Sequence, residues 1–259
     1  MMNEERTQVH HPLIFVHGAW HGAWAWELFS GYFRGEGYEC RVFDFRGHGA
    51  RVGESLSPFT SAEQYVEDLE KVAAEYEEPI LIGHSMGGLV IQKYLTRRRA
   101  RAAVLIAAVP FNGVPLSTIM HLMVKVPLKI VQLSLFQRIA IDRMDLVRDL
   151  FYQAGTAENI VRDTYEKVVP ESPAALWRLS LAGKCYPATA DILPGTPLCV
   201  VHGGRDFFVT PACQEKMARR YGADRKFYPE EAHNLMCDGR WRTVAQDVDG
   251  WIRSVVETG

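Results

Sequence analysis

The chain has 259 residues, 47% hydrophobic and 23% charged, with a formal net charge of −2. That length suits one α/β domain with room for an inserted subdomain, and the near-balanced charge gives no reason to expect a nucleic acid or an anionic membrane as partner. No apolar run reaches the length of a membrane span, and Met1 to His11 lacks the apolar core of a signal peptide.

Leu13-Ile14-Phe15-Val16 is an unbroken apolar run ending at His17-Gly18, the pattern of a central parallel strand buried on both faces. A helix is predicted from about Ala23 to Phe33, ended by Gly35 and Gly37. Cys40 to Phe45 reads as the next strand, followed by the turn Arg46-Gly47-His48-Gly49. Between Phe59 and Glu77, Tyr65, Leu69, Val72 and Tyr76 recur at helical spacing. Thr60 or Ser61 is the N-cap, and Glu63, three residues after Thr60, is placed as in a capping box. Pro79 to Ile82 is a short buried strand that stops at Gly83-His84-Ser85-Met86-Gly87, where a helical pattern begins at once. That helix runs out among Arg97, Arg98, Arg99 and Arg101, cations at a helix C-terminus facing solvent. Ala102 to Val109 is another apolar strand, closed by Pro110.

From Phe111 to about Leu193 the strand-helix alternation breaks. A methionine-bearing apolar stretch from Met120 to Phe136 precedes helical pieces around Asp145 to Gln153, Ala157 to Val168 and Pro173 to Ala182, punctuated by Pro170, Pro173, Pro187 and Pro194. The pattern predicts an all-helical cap, 111–193, set into an α/β core of 1–110 and 194–259. Pockets beneath such lids are built from these residue types, which makes Met120, Met123 and Phe136 candidate substrate contacts. Lipid-surface binding by the same stretch rests on composition alone. Pro197 to His202 is a strand, left through Gly203-Gly204-Arg205-Asp206. Thr210-Pro211 opens a helix to about Arg220, Arg225 to Tyr228 is a last short strand, and Glu230-Glu231-Ala232-His233-Asn234 follows. A final helix, about Asp238 to Thr258, puts Trp241, Val244, Val248, Trp251, Ile252 and Val255 on one face. The five cysteines, Cys40, Cys185, Cys199, Cys213 and Cys237, form no C-x-x-C pair. They indicate neither a zinc site nor a disulfide framework and favour a reducing compartment, the cytoplasm. No metal or cofactor is expected.

Strands alternating with helices imply a parallel sheet of about six strands, whose active groups gather beyond the carboxyl ends. His17-Gly18-Ala19, Ser85-Met86, Asp206 and His233 all occupy such positions. A Gly-x-Ser-x-Gly turn between strand and helix strains the serine backbone, and Gly83 and Gly87 remove side chains that would collide. The Met86 N–H then opens a helix, where developing negative charge is favoured.

These motifs, in this order and along nearly the whole chain, resemble the α/β-hydrolase fold of serine esterases. The resemblance implies Ser85 as nucleophile, His233 as base, Asp206 as acid, and the N–H groups of Ala19 and Met86 as oxyanion hole. A serine hydroxyl needs a base to take its proton, and a carboxylate fixes the tautomer of that base. The stretch His17-Gly18-Ala19-Trp20-His21-Gly22-Ala23-Trp24 is similar to the plant methylesterase and hydroxynitrile-lyase branch. The lyases resemble a pattern with threonine in place of Gly18 and lysine in place of Asn234, so both departures favour an esterase. The turn from Asp44 to Gly49 also resembles lysophospholipase-like and monoacylglycerol-lipase-like members, which leaves chain length open.

His84 and His17 are expected to be structural, His17 by hydrogen-bonding backbone. His48, His121 and His202 read as surface or packing residues. Asp142 and Asp145 are rival acids, disfavoured by their place in the cap. Trp24 and Trp26 read as core, while Trp20 is a candidate pocket residue. The expected function is hydrolysis of a small to medium, partly apolar carboxylic ester. A lactonase, thioesterase or carbon–carbon bond hydrolase would use the same acyl chemistry, and a slow ligand-binding receptor is the reading from another class.

Overall fold

A computed structural model of the chain describes residues 11–54, 57–177, 179 and 192–256. Cys185, Pro187 and the end of the helix expected to reach Ala182 lie outside the described residues. Six strands, Leu13–Val16 (β1), Cys40–Val42 (β2), Ile80–His84 (β3), Ala102–Ile106 (β4), Leu198–Gly203 (β5) and Asp224–Tyr228 (β6), form one sheet in the order β2-β1-β3-β4-β5-β6. Every neighbouring pair is parallel.

The central strands are apolar without interruption because both faces are covered. Ile14, Val16, Leu81 and Leu105 point into one core, shared with Leu69 of helix Ala62–Ala73 (α2) and Leu89 of helix Met86–Tyr94 (α3). Leu13, Phe15, Ile80 and Ile82 point into the other, shared with Phe29 and Phe33 of helix Glu27–Gly35 (α1). The final helix closes that second face.

Two strand ends and the capping box of α2 differ from the sequence reading. β2 stops at Val42, and the Phe45 N–H donates to His17 Nε2 at 3.0 Å instead of continuing the ladder. β4 stops at Ile106, and Ala107 adopts a left-handed φ of 45°. The N-cap of α2 is Ser61, whose N–H donates to Gln64 Oε1 at 2.8 Å, so Gln64 and not Glu63 completes the box. Glu63 instead receives Lys93 Nζ at 2.9 Å.

Between β4 and β5 lie helices Leu116–Lys125 (α4), Pro127–Ser134 (α5), Met144–Phe151 (α6) and Glu158–Lys167 (α7), with residues 173–177 also helical. The expected all-helical character needs one correction, since Ile139 and Glu171 form an antiparallel bridge. Helices Pro211–Tyr221 (α8) and Trp241–Val256 (α9) complete the chain. Pro211 occupies the first turn of α8, and Gly222 ends it at φ 58°. The chain runs from β1 out to the edge strand β2 and then back past β1 to β3. That reversal makes the crevice between the carboxyl ends of β1 and β3 the topological switch point, where ligands of open α/β sheets bind.

Candidate active site

Ser85 stands between β3 and α3 with φ 53° and ψ −116°, a conformation that L-residues keep only where surroundings enforce it. Its N–H donates to Ile106 O at 3.0 Å, and its carbonyl accepts from Val109 N–H at 3.0 Å. Close approach of the elbow to β1 requires glycine at position 87, where a Cβ would lie 2.2 Å from Val16 O and 2.5 Å from His17 O. Met86 opens α3, and the first N–H groups of a helix have no intrahelical acceptor.

The loop after β1 comes equally close. A Cβ on Gly18 would stand 3.0 Å from Ser85 Cβ. The Gly18 carbonyl accepts from His17 Nδ1 at 2.8 Å and from His21 N–H at 3.3 Å. In a trans peptide the Ala19 N–H therefore points the opposite way, away from both donors. His17 thus hydrogen-bonds backbone on both sides of its ring, as expected.

Asp206 leaves the loop after β5, and both of its oxygens accept from His233 Nδ1, at 2.9 and 3.0 Å. Its Oδ1 also accepts from the N–H groups of Phe208 at 2.8 Å and Val209 at 3.0 Å. A carboxylate only accepts, so the neutral ring carries its proton on Nδ1 and presents a lone pair at Nε2. His84 is structural: its Nε2–H donates to the His233 carbonyl at 3.1 Å, tying the loop after β6 to the elbow. The two rings lie 4.7 Å apart, centroid to centroid.

Burial pushes the His17 and His84 pKa values well below 6.5 and that of His21 to about 4. Neutral His21 donates from Nδ1 to Ala19 O at 2.7 Å and accepts at Nε2 from Asn234 Nδ2 at 3.1 Å. Burial also pushes the thiols of Cys40, Cys199 and Cys237 up to about 12, so none of these is a thiolate rival to Ser85.

A cavity of about 310 Å³ opens above Ser85, within the size range of small-molecule sites. Ala19, Trp20 and Phe208 line it from the core, and Leu122, Ile139, Leu146 and Leu176 from the segment between β4 and β5. Trp20 and Met123 are in the wall, as expected. Met120 and Phe136 are not. Met120 is 60% exposed, and Phe136 turns to the ring of Phe59 at 5.5 Å. Phe208 escaped the sequence reading, although its place two residues after Asp206 was the available signal. Asp142 pairs with Lys129 and Asp145 with Arg143, both on the surface, so neither is a rival acid.

His121 is exposed and His202 is buried against Phe227. His48 is fully buried and does more than pack. Its Nδ1 lies 3.1 Å from Arg46 O and its Nε2 3.0 Å from Glu171 Oε2, so the ring faces two acceptors, an arrangement that favours its protonated form. Burial opposes charge on both partners, but their attraction prevails, raising the His48 pKa above 6.5 and lowering that of Glu171 below 4.5. Among the described residues no cluster of three or more His, Cys, Asp or Glu could hold a metal ion, and no helix is long and apolar enough to cross a membrane.

Known proteins share this architecture. A 91-residue stretch is 33% identical to Methylesterase 3 of Arabidopsis thaliana, covering 34% of this chain and 34% of that protein. The chain thus spans about a third of the length of the curated relatives it matches. A methylesterase structure from Arabidopsis superposes with a TM-score of 0.69 at 16% identity, over 93% of this chain and 98% of the other. An esterase from Thermogutta terrifontis gives a TM-score of 0.71 at 19% identity, over 96% and 92%. Since residues 13–247 match the model of the alpha/beta hydrolase family, nearly the whole of the chain just described, this protein belongs to that family.

Proposed function

We propose that this protein is a serine hydrolase that cleaves a carboxylic ester through an acyl-enzyme on Ser85. The observation that carries the reading is the Asp206–His233 pair, hydrogen-bonded at 2.9 and 3.0 Å and tied by His84 to the strained Ser85 elbow, under an apolar cavity. His233 Nε2 takes the Ser85 proton as Oγ attacks the ester carbonyl carbon. The N–H groups of Ala19 and Met86 hold the resulting oxyanion, each worth roughly 3–4 kcal/mol of barrier. The intermediate collapses, the alcohol leaves with the proton from His233, and the acyl group stays on Ser85. Water, deprotonated by His233, then releases the carboxylic acid. Asp206 keeps the imidazole in the required tautomer and stabilises its cation.

The cavity wall supports a small to medium substrate with an apolar acid portion, and the methylesterase relatives make methyl esters of such acids the first substrates to test. The segment over the cavity acts as its cap. The free thiols Cys40, Cys199, Cys213 and Cys237 fit a reducing compartment, the cytoplasm. The test is turnover of methyl and p-nitrophenyl esters by the wild type and by Ser85→Ala, with fluorophosphonate labelling of both. Turnover and labelling confined to the wild type are expected. Equal turnover in the variant would overturn the nucleophile assignment.

A further inference from the structure

Burying a carboxylate is expensive, and Glu171 is fully buried. Three distant parts of the chain and its own neighbour Ser172 converge on it. His48 Nε2 donates to its Oε2 at 3.0 Å, while the Tyr65 hydroxyl and the Ser172 N–H donate to its Oε1 at 2.7 Å each. The fourth donor is the backbone N–H of Trp20, at 3.4 Å from Oε2. This last bond is long, but its acceptor is charged.

Trp20 has a left-handed φ of 63°, unfavourable for a bulky side chain. The cap segment holds it at three points. Its N–H meets Glu171, its carbonyl accepts from Val169 N–H at 3.0 Å, and its indole Nε1–H donates to Ile139 O at 2.8 Å. All three partners sit on or beside the Ile139–Glu171 bridge.

The consequence falls on Ala19. Its N–H lies in the Gly18–Ala19 peptide plane, and the place of that plane in the loop depends on how the next plane is held. His17 fixes the plane before it through the Gly18 carbonyl. The plane after it is held at one end by His21 on the Ala19 carbonyl and at the other by Glu171 on the Trp20 N–H. We propose that Glu171, paired with His48, is a positioning residue for the oxyanion donor Ala19, acting through the Trp20 N–H on the peptide plane next to that of the donor. This inference rests on the esterase reading of the site.

Glutamine at 171 cannot satisfy the same four donors, because its NH₂ group must face two of them. The test compares wild type, Glu171→Gln and Ser172→Ala on one methyl ester. The Ser172 hydroxyl ties the same segment to Pro58 O and Thr60 O without touching Trp20. Glu171→Gln should lose about 10- to 100-fold in kcat with KM changed less than threefold, as expected for a misaimed donor. Its affinity for a trifluoromethyl ketone, which mimics the oxyanion, should fall in parallel. Ser172→Ala should keep its kcat even where its Tm drops. A loosened cap alone would raise KM instead, because the cap lines the cavity. If Glu171→Gln fails to fold, His48→Gln carries the same comparison, since it removes the counter-charge that keeps Glu171 ionised. A kcat within threefold of wild type, or a loss confined to KM, overturns the inference while leaving the esterase reading intact. A wild type that neither turns over esters nor labels with fluorophosphonate removes both.

Discussion

Asp206→Asn separates the tautomer-setting role of the carboxylate from its role in the loop. Asp206 Oδ1 accepts from Phe208 and Val209 N–H at 2.8 and 3.0 Å, and these donors keep the amide oxygen of an asparagine on their side. The NH₂ group must then face His233 Nδ1, where Oδ2 now stands 2.9 Å away. Two donors cannot share that gap, so the imidazole moves its proton to Nε2 and presents a lone pair at Nδ1. The ring still fits, but it can no longer accept a proton from Ser85. The same exchange in a Ser-His-Asp site elsewhere lowers kcat about 10⁴-fold, or roughly 5 kcal/mol of barrier. We expect that loss here with KM changed little, because Asp206 does not line the cavity. The fold should persist, since both loop hydrogen bonds survive, and Tm should move by only a few degrees. The assay is steady-state hydrolysis of a methyl ester between pH 6 and 9, alongside thermal unfolding. A kcat within tenfold of wild type and a native Tm would refute the reasoning that Asp206 sets the His233 tautomer.

Two further predictions follow from the cavity and from the buried ion pair. Lengthening the acid side of a methyl ester should raise kcat/KM about fourfold per methylene, from ~0.8 kcal/mol for each buried CH₂, until the cavity of about 310 Å³ is filled. A response flat from the first carbon would place the acid outside the cavity. For stability, His48 has a folded pKa above 6.5, so its contribution is complete below that pH and drains away as pH rises through the folded value. Glu171 has a folded pKa below 4.5, so its contribution is complete above that pH and is lost as pH falls through the folded value. The pair therefore stabilises most between about pH 4.5 and 6.5, and His48→Gln should flatten the slope of Tm against pH above 6.5. An unchanged slope in that variant would show that the ring is not charged in the folded protein.

What could be read from the chain was what neighbours in sequence decide. Leu13 to Val16 and Ala102 to Ile106 are buried on both faces, so their apolar runs announce central strands without ambiguity. The Ser85 elbow is likewise local, with strand, tight turn and helix all inside a dozen residues. Asp206 and His233 were legible because strand ends in a parallel sheet share one edge. Met120 stands outside the cavity wall because α4 carries apolar residues on more than one side. Leu122 and Met123 line the cavity while Met120 and Val124 face outward, and composition cannot tell these sides apart. Glu171 gave no signal at all. Its partners Trp20, His48 and Tyr65 lie 151, 123 and 106 residues away, and no periodicity connects them. The Pro170-Glu171-Ser172-Pro173 stretch reads as punctuation until Glu171 is seen against Trp20, His48 and Tyr65.

The site is assembled from two halves that differ in how they are held. Ala19, Ser85 and Met86 come from β1 and β3, which are hydrogen-bonded neighbours, and the missing side chains at Gly18 and Gly87 let their loops touch. Asp206 and His233 come from the far side of β4 and must reach across it. The links that join the halves are His84 to the His233 carbonyl and the Ala19–His21–Asn234 chain, and both run through histidines that burial keeps neutral. Neutrality matters to the proposed mechanism. A cation at His84, with its ring 4.7 Å from that of His233, would oppose the imidazolium that must form when Ser85 gives up its proton. Burial therefore lets these histidines act as hydrogen-bonding struts without adding charge against the base. His48, whose ring faces two acceptors, instead stands against the carboxylate of Glu171.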